Sequence, residues 1–183
     1  MRSIAAFLFL LSAAPVLAAP PSAKTTQLDR LFARLDKTTS SEEAKPIEEQ
    51  IATLFEQSDS ATVDILMQRS TVVLKAGDKD TTKKLIDAIN IIAPDFAEGW
   101  HRRALLEVAS NDDTDAIASL QKTVALNPRE FQALSELGKL LEDYGDKKAA
   151  LAAYRKALAL DPHMAGIEKL TQELARDVEG QKI

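Results

Sequence analysis

The sequence contains two histidines, His101 and His163, and no cysteine. Those residues set the limits of its chemistry. A zinc centre needs three or four nitrogen, sulfur or carboxylate ligands at short spacing, and two distant histidines without a thiolate do not supply them. The missing cysteine also excludes disulfides and a lipid-modified cysteine. Acidic pairs at Glu42-Glu43 and Asp112-Asp113 would attract a cation, but neither has the alternating oxygen-ligand spacing of a calcium loop. Acidic residues at helix starts are accounted for by the helix dipole. There is no glycine-rich phosphate loop, no nucleophile elbow and no histidine-glutamate metal motif. No catalytic, metal-binding or cofactor-binding residue is expected, and the reading is of a non-enzyme.

The elements behind this surface are helical. Across 183 residues, 45% are hydrophobic, 28% charged and only 5% aromatic, with six glycines and seven prolines. That balance favours an all-α chain packed through small side chains. The N-terminus follows a different pattern. Arg2 precedes an apolar run from Ile4 to Leu11, and Pro15 stands before Val16-Leu17-Ala18, which reads as a secretory signal peptide over residues 1–18 cleaved after Ala18 or Ala19. Pro15 and Pro20-Pro21 leave too short an apolar helix for an anchor, so membrane contact is expected only through the transient signal peptide. Removing Arg2 leaves 22 basic against 28 acidic residues, a net charge of −6. Such a chain is a poor partner for nucleic acid.

Two ladders with one period organise the rest. Pro94, Pro128 and Pro162 recur every 34 residues, each closing an apolar stretch as a residue that cannot continue a helix. Gly77, Asn111 and Gly145 recur at the same interval, and each is followed by aspartate at 78, 112 and 146. Glycine and asparagine tolerate a left-handed turn after a helix, and the aspartate can cap the next one. The units are therefore helix, tight turn, helix, proline, over residues 63–96, 97–130 and 131–164. Within them Leu66, Trp100 and Leu134 share one register position. Ser70, Ala104 and Gly138 share a second, Thr82, Ala116 and Ala150 a third, and Ile86, Leu120 and Tyr154 a fourth. Small residues mark close helix crossings and large ones fill the space between units.

This pattern resembles the tetratricopeptide repeat family. The third unit carries Leu137-Gly138, Ala150, Tyr154, Ala157 and Pro162, and the second Trp100, Ala116, Leu120 and Pro128. It departs at Glu107, usually large and apolar, where a solvated edge is expected, and at Thr123, usually alanine. Pro94-Asp95-Phe96-Ala97-Glu98-Gly99-Trp100 resembles the junction of small exported proteobacterial members. The resemblance implies a right-handed superhelical solenoid in the periplasm, with secretion as the alternative.

The flanks complete the plan. Residues 19–26 lack periodicity and are expected to be a flexible leader. Residues 27–57 read as a helical hairpin, with Leu28, Leu31, Phe32 and Leu35 on one stripe and Ile47, Ile51, Leu54 and Phe55 on the other. Pro46 is expected near the first turn of its second helix. The hairpin is read as a cap over the first unit, with a degenerate repeat as the alternative. Residues 165–179 form an amphipathic capping helix with Ile167, Leu170, Leu174 and Val178 inward.

In the family, one face of each first helix lines a concave groove. Here it comprises Asp64, Met67, Thr71 and Leu74, then Glu98, His101, Leu105 and Val108, then Gln132, Ser135, Lys139 and Glu142. The expected partner-binding residues are Met67, Thr71, Glu98, His101, Leu105, Gln132, Ser135 and Lys139. They would hold an extended peptide or a partner helix anchored near Leu105, unless Leu105 and Val108 pack under the cap. The clamp that grips a C-terminal carboxylate in some members needs Lys or Asn where this chain has Met67, Thr71, His101 and Leu105. With Arg102 and Lys139 as isolated cations, capture of an acidic tail is not expected. The function implied is a non-catalytic protein-binding scaffold of the cell envelope, with a self-assembling homo-oligomeric module as the alternative.

Overall fold

The computed structural model describes residues 22–180. The expected signal peptide over residues 1–18 and its cleavage at Ala18 or Ala19 lie outside the described residues. Among those residues the chain forms nine α-helices and no strand: α1 Ala23–Leu35, α2 Ser41–Phe55, α3 Ala61–Lys75, α4 Lys79–Ile92, α5 Ala97–Val108, α6 Asp113–Leu126, α7 Phe131–Asp143, α8 Lys147–Leu160 and α9 Ile167–Glu179. None is long and apolar enough to cross a membrane.

Local chemistry sets the repeat. Gly77, Asn111 and Gly145 have φ of 82°, 62° and 83°, the left-handed conformation that ends α3, α5 and α7. The residue after each donates back into the helix just ended, Asp78 to the Val73 carbonyl at 3.2 Å, Asp112 to Glu107 at 2.9 Å and Asp146 to Leu141 at 2.8 Å. Asp78 and Asp146 then cap the next helix, accepting from the amides of Thr81 and Ala149 at 2.9 and 3.1 Å. Asp112 makes no such side-chain cap. The helices α4, α6 and α8 end at the second residue before each ladder proline, since a residue preceding proline is driven out of the helical region.

Each second helix packs on its own first helix and on the first helix of the next unit, and α9 packs on α8 in the same sense. The closest approaches rely on glycine. A methyl group on Gly138 would lie 2.5 Å from the Tyr154 ring, and one on Gly99 would lie 2.4 Å from Asn90 Oδ1. Tyr154 is fully buried and donates its hydroxyl to Glu142 at 2.9 Å. Thr123, in place of the family's alanine, is buried with its hydroxyl donating to the Ser119 carbonyl at 2.9 Å. Glu107 does not form the solvated edge expected of it. Its carboxylate receives Arg103 Nε at 2.8 Å and the Ser119 hydroxyl at 2.7 Å, so a polar tether replaces the apolar contact. At the C-terminal end α9 lays Ile167 and Leu174 on Ala150, Leu151 and Tyr154.

The N-terminal segment differs most from expectation. Residues 23–26 are not leader but the first turn of α1, because the Ser22 hydroxyl accepts from the Thr25 amide at 3.1 Å and caps the helix. Pro46 lies inside α2, well past its first turn. The hairpin α1–α2 does not simply cover the first unit. It lies along the edge formed by the three proline turns and reaches the third unit. Phe32 packs edge-on against Phe131 with ring centroids 6.2 Å apart, and Phe131, Leu160 and Met164 join the hairpin's own core. Arg129 sits 4.0 Å over the Phe32 ring and pairs with Asp29 at 2.6 Å. His163 places Nε2 2.7 Å from the Thr38 carbonyl, while Ser41 donates to the His163 carbonyl at 3.2 Å. The apolar stripes of α1 and α2 extend far enough to bury Phe131 and Leu160, which a cap on the first unit would leave wet.

Candidate functional site

The inner face is built from α3, α5 and α7, and the hairpin divides it into two halves. On the half beside the proline turns the expected site residues are covered. Met67, Glu98, His101 and Ser135 are buried, and Thr71 and Gln132 are half-buried. Glu98, His101 and Ser135 are thus interior, whereas Met67 and Thr71 border an open cleft, of about 500 Å³, beside Glu56 and Arg102. The spacing arithmetic does not include the hairpin, and the hairpin is what makes this half a polar interior.

His101 is at the centre of it. Its Nδ1 lies 3.2 Å from Glu98 Oε2 and its Nε2 2.9 Å from Glu136 Oε2, an ion-paired link between α5 and α7. Burial alone would push its pKa down, but hydrogen bonds to Glu136 and Glu98 and their charges raise it to about 10. The ring is thus an imidazolium at neutral pH and donates through both nitrogens. Glu98 is also buried, which would raise its pKa. Its bonds to His101 and to Arg102, with Nε at 2.9 Å, outweigh that and hold it below the usual carboxylate value. Arg102, far from being an isolated cation, also donates to the Thr71 hydroxyl at 2.8 Å and pairs with Glu56 of α2. The network ties the hairpin to the first and second units and is satisfied internally, as a buried charge cluster must be. It holds position and has no free base or nucleophile to offer.

On the other half the face is open. Leu105 and Val108 are 39% and 41% exposed, so they do not pack under the hairpin. With Leu140, Lys139, Glu136 and Asp143 they line a cleft of about 310 Å³. Of the expected site residues, Leu105 and Lys139 are brought together here. Leu140 was missed because its register position lies off the face assigned by the repeat arithmetic, although a leucine pair at Leu140-Leu141 is a signal that one side chain borders the groove. Glu130 and Glu136 were missed as well. Glu130 is buried beside the proline turn, and burial together with the Glu98 charge raises its pKa to about 8. No sequence periodicity marks it. Among the described residues no group of three or more histidine, aspartate or glutamate side chains could hold a metal ion.

Stacked helical hairpins with a groove along their first helices define an all-α repeat solenoid. Residues 131–164 match the tetratricopeptide repeat family. A TPR repeat-containing protein of Rhizobium etli is 26% identical over 161 residues, 88% of this chain and 79% of the relative. The first TPR of Spaghetti bound to an HSP90 peptide superposes with a TM-score of 0.60 at 18% identity, over 66% of this chain and 96% of that one. The crystal structure of MamA gives 0.59 at 15% identity, over 89% and 88%. At these identities the likeness to the solved structures is one of fold.

Proposed function

We propose that this protein is a non-catalytic scaffold of the bacterial cell envelope that holds a protein or peptide segment in the open half of its concave face. The observation that carries the reading is the cleft in which the exposed side chains of Leu105 and Val108 stand beside Leu140. Lys139 and the carboxylates of Glu136 and Asp143, all on α7, complete its lining. Apolar side chains on a groove between successive helices suit an amphipathic segment with one apolar anchor. The peptide held by the Spaghetti repeats in their solved complex supports the general mode and not the ligand. An acidic C-terminal tail does not fit, since Arg102 is already paired with two carboxylates. The exported location rests on the signal-peptide pattern of residues 1–18.

The test is a photo-crosslinking residue at Val108 in cells, compared with one at Gln121 on α6. Adducts specific to position 108 that vanish with Leu105→Asp are expected. Identical adducts from both positions, or none from position 108, would overturn the groove. A second reading, self-assembly, is favoured by Ile65 and Val72, which are 63% and 67% exposed on α3 where no preceding unit is stacked. Sedimentation over a concentration range separates the two readings, because a strict monomer removes the second.

A further inference from the structure

The N-terminal hairpin is joined to the array mainly by side chains, and the seam buries carboxyls at both ends. At one end Glu48 of α2 meets Asp161, the residue that follows α8. Asp161 is fully buried. Its Oδ1 accepts from the His163 amide at 3.1 Å, while Oδ2 has no hydrogen bond of ordinary geometry among the described residues. The carboxyl beside it is that of Glu48, and Glu49, Lys45 and His163 complete the charged surroundings. Glu48 is half-buried and Asp161 fully so, and two carboxylates brought together in this way hold a shared proton more tightly than either would alone. At the other end Glu130 lies in the crevice lined by Leu28 and Phe55 of the hairpin. It faces Glu98, Glu136 and His101 across the array and Asn127 at 3.1 Å, with Lys24 and Asp95 at the rim.

We infer that the hairpin is a proton-dependent lid: it closes over the proline-turn half of the concave face when the Glu48–Asp161 pair and Glu130 hold their protons, and loosens when these groups ionise. The parts are separable, which a lid requires. The second and third units and the first each have their own apolar cluster, and the hairpin's core borrows only Phe131, Leu160 and Met164 from the array. Opening exposes Phe131 and parts Glu56 from Arg102, and so extends the groove beside Leu105.

The direction with pH follows from linkage. Burial and then the Asp161 charge raise Glu48 to about 7, and burial and then Glu98 raise Glu130 to about 8. Both values lie above the ordinary 4.5, so closure is fully favoured below that pH and weakens as pH rises through 7 and 8. The closing constant falls by up to roughly tenfold per pH unit for each linked proton. Movement of the lid needs no partner and is tested apart from the groove.

Because the chain has no cysteine, Glu42→Cys and Ala165→Cys in the full chain give one spin-label pair across the seam. Pulsed electron paramagnetic resonance at pH 5.5 is expected to show one short distance. At pH 8.5 a longer population grown at least tenfold is expected, with helical circular dichroism unchanged. In a Glu48→Gln, Glu130→Gln background the short distance persists at both pH values. The proposal is overturned if the parent distances are the same at both pH values, if helicity falls in step with opening, or if the double variant opens as the parent does.

Discussion

His101 offers a test of the buried network by spectroscopy and by stability together. Its pKa is raised to about 10 from an ordinary 6.5, because Glu136 and Glu98 hold the charged ring strongly enough to overcome its burial. At 1.36 kcal/mol per pH unit that gap corresponds to an upper bound of roughly 4 to 5 kcal/mol of stabilisation. Solvent access at Glu136, whose side chain is one-third exposed, lowers the realised value to about 2 to 4 kcal/mol. The sign is that of a base with a raised folded pKa. The contribution is fully present below pH 6.5 and is lost as pH rises from 6.5 through 10. With only two histidines, ring signals in a proton–nitrogen correlation spectrum are assigned by one variant, His163→Gln. His101 should show both ring nitrogens protonated and no titration between pH 5 and 8.5. In urea unfolding, His101→Gln should cost about 2 to 4 kcal/mol at pH 7 and should remove the part of the pH dependence above 7. A His101 inflection near pH 6.5, or a variant as stable as the parent, would refute the buried imidazolium.

Two further predictions concern the repeat itself. Gly145→Ala should cost about 1 to 2 kcal/mol from left-handed strain alone, because a methyl there meets no atom within 4 Å, whereas Gly145→Asn should cost clearly less, as Asn111 occupies the matching turn. Thermal unfolding checks the ordering. Gly138→Ala gains about 1 kcal/mol of helix propensity but drives a methyl into an anchored ring, so a net loss of about 1 to 2 kcal/mol is expected. Pairing it with Tyr154→Leu should recover part of the overpacking term.

The features that were legible are those decided by one or two residues. A positive φ at Gly77, Asn111 and Gly145, and the break imposed by each proline, are local constraints that recur with the chain's own period. The crossing at Gly138 was equally visible, since only a small residue admits a second helix so closely. The hairpin's docking was not visible, because it depends on Phe32, Phe55 and Phe131, whose stripes satisfy several partners equally well. The candidate site inherited that blindness. Glu98 and His101 read as groove residues on spacing alone, and only the three-dimensional course of α2, carrying Glu56 to Arg102, makes them interior. Nothing in the sequence pairs Glu48 of α2 with Asp161, the residue after α8, which only the fold brings together across 113 positions.

A stack of hairpins is wired locally, each unit touching only its neighbours, so such an array can fray from either end without disturbing the middle. The clasp of His163 on Thr38, with Arg129 on Asp29, changes that wiring. Segments separated by 100 and 125 residues become joined, and the linear array closes into a ring of contacts. Fraying of the last unit then costs the hairpin its footing, and loss of the hairpin uncovers all three proline turns together. The hairpin thereby depends on the last unit for its seat, and seating it closes a long loop.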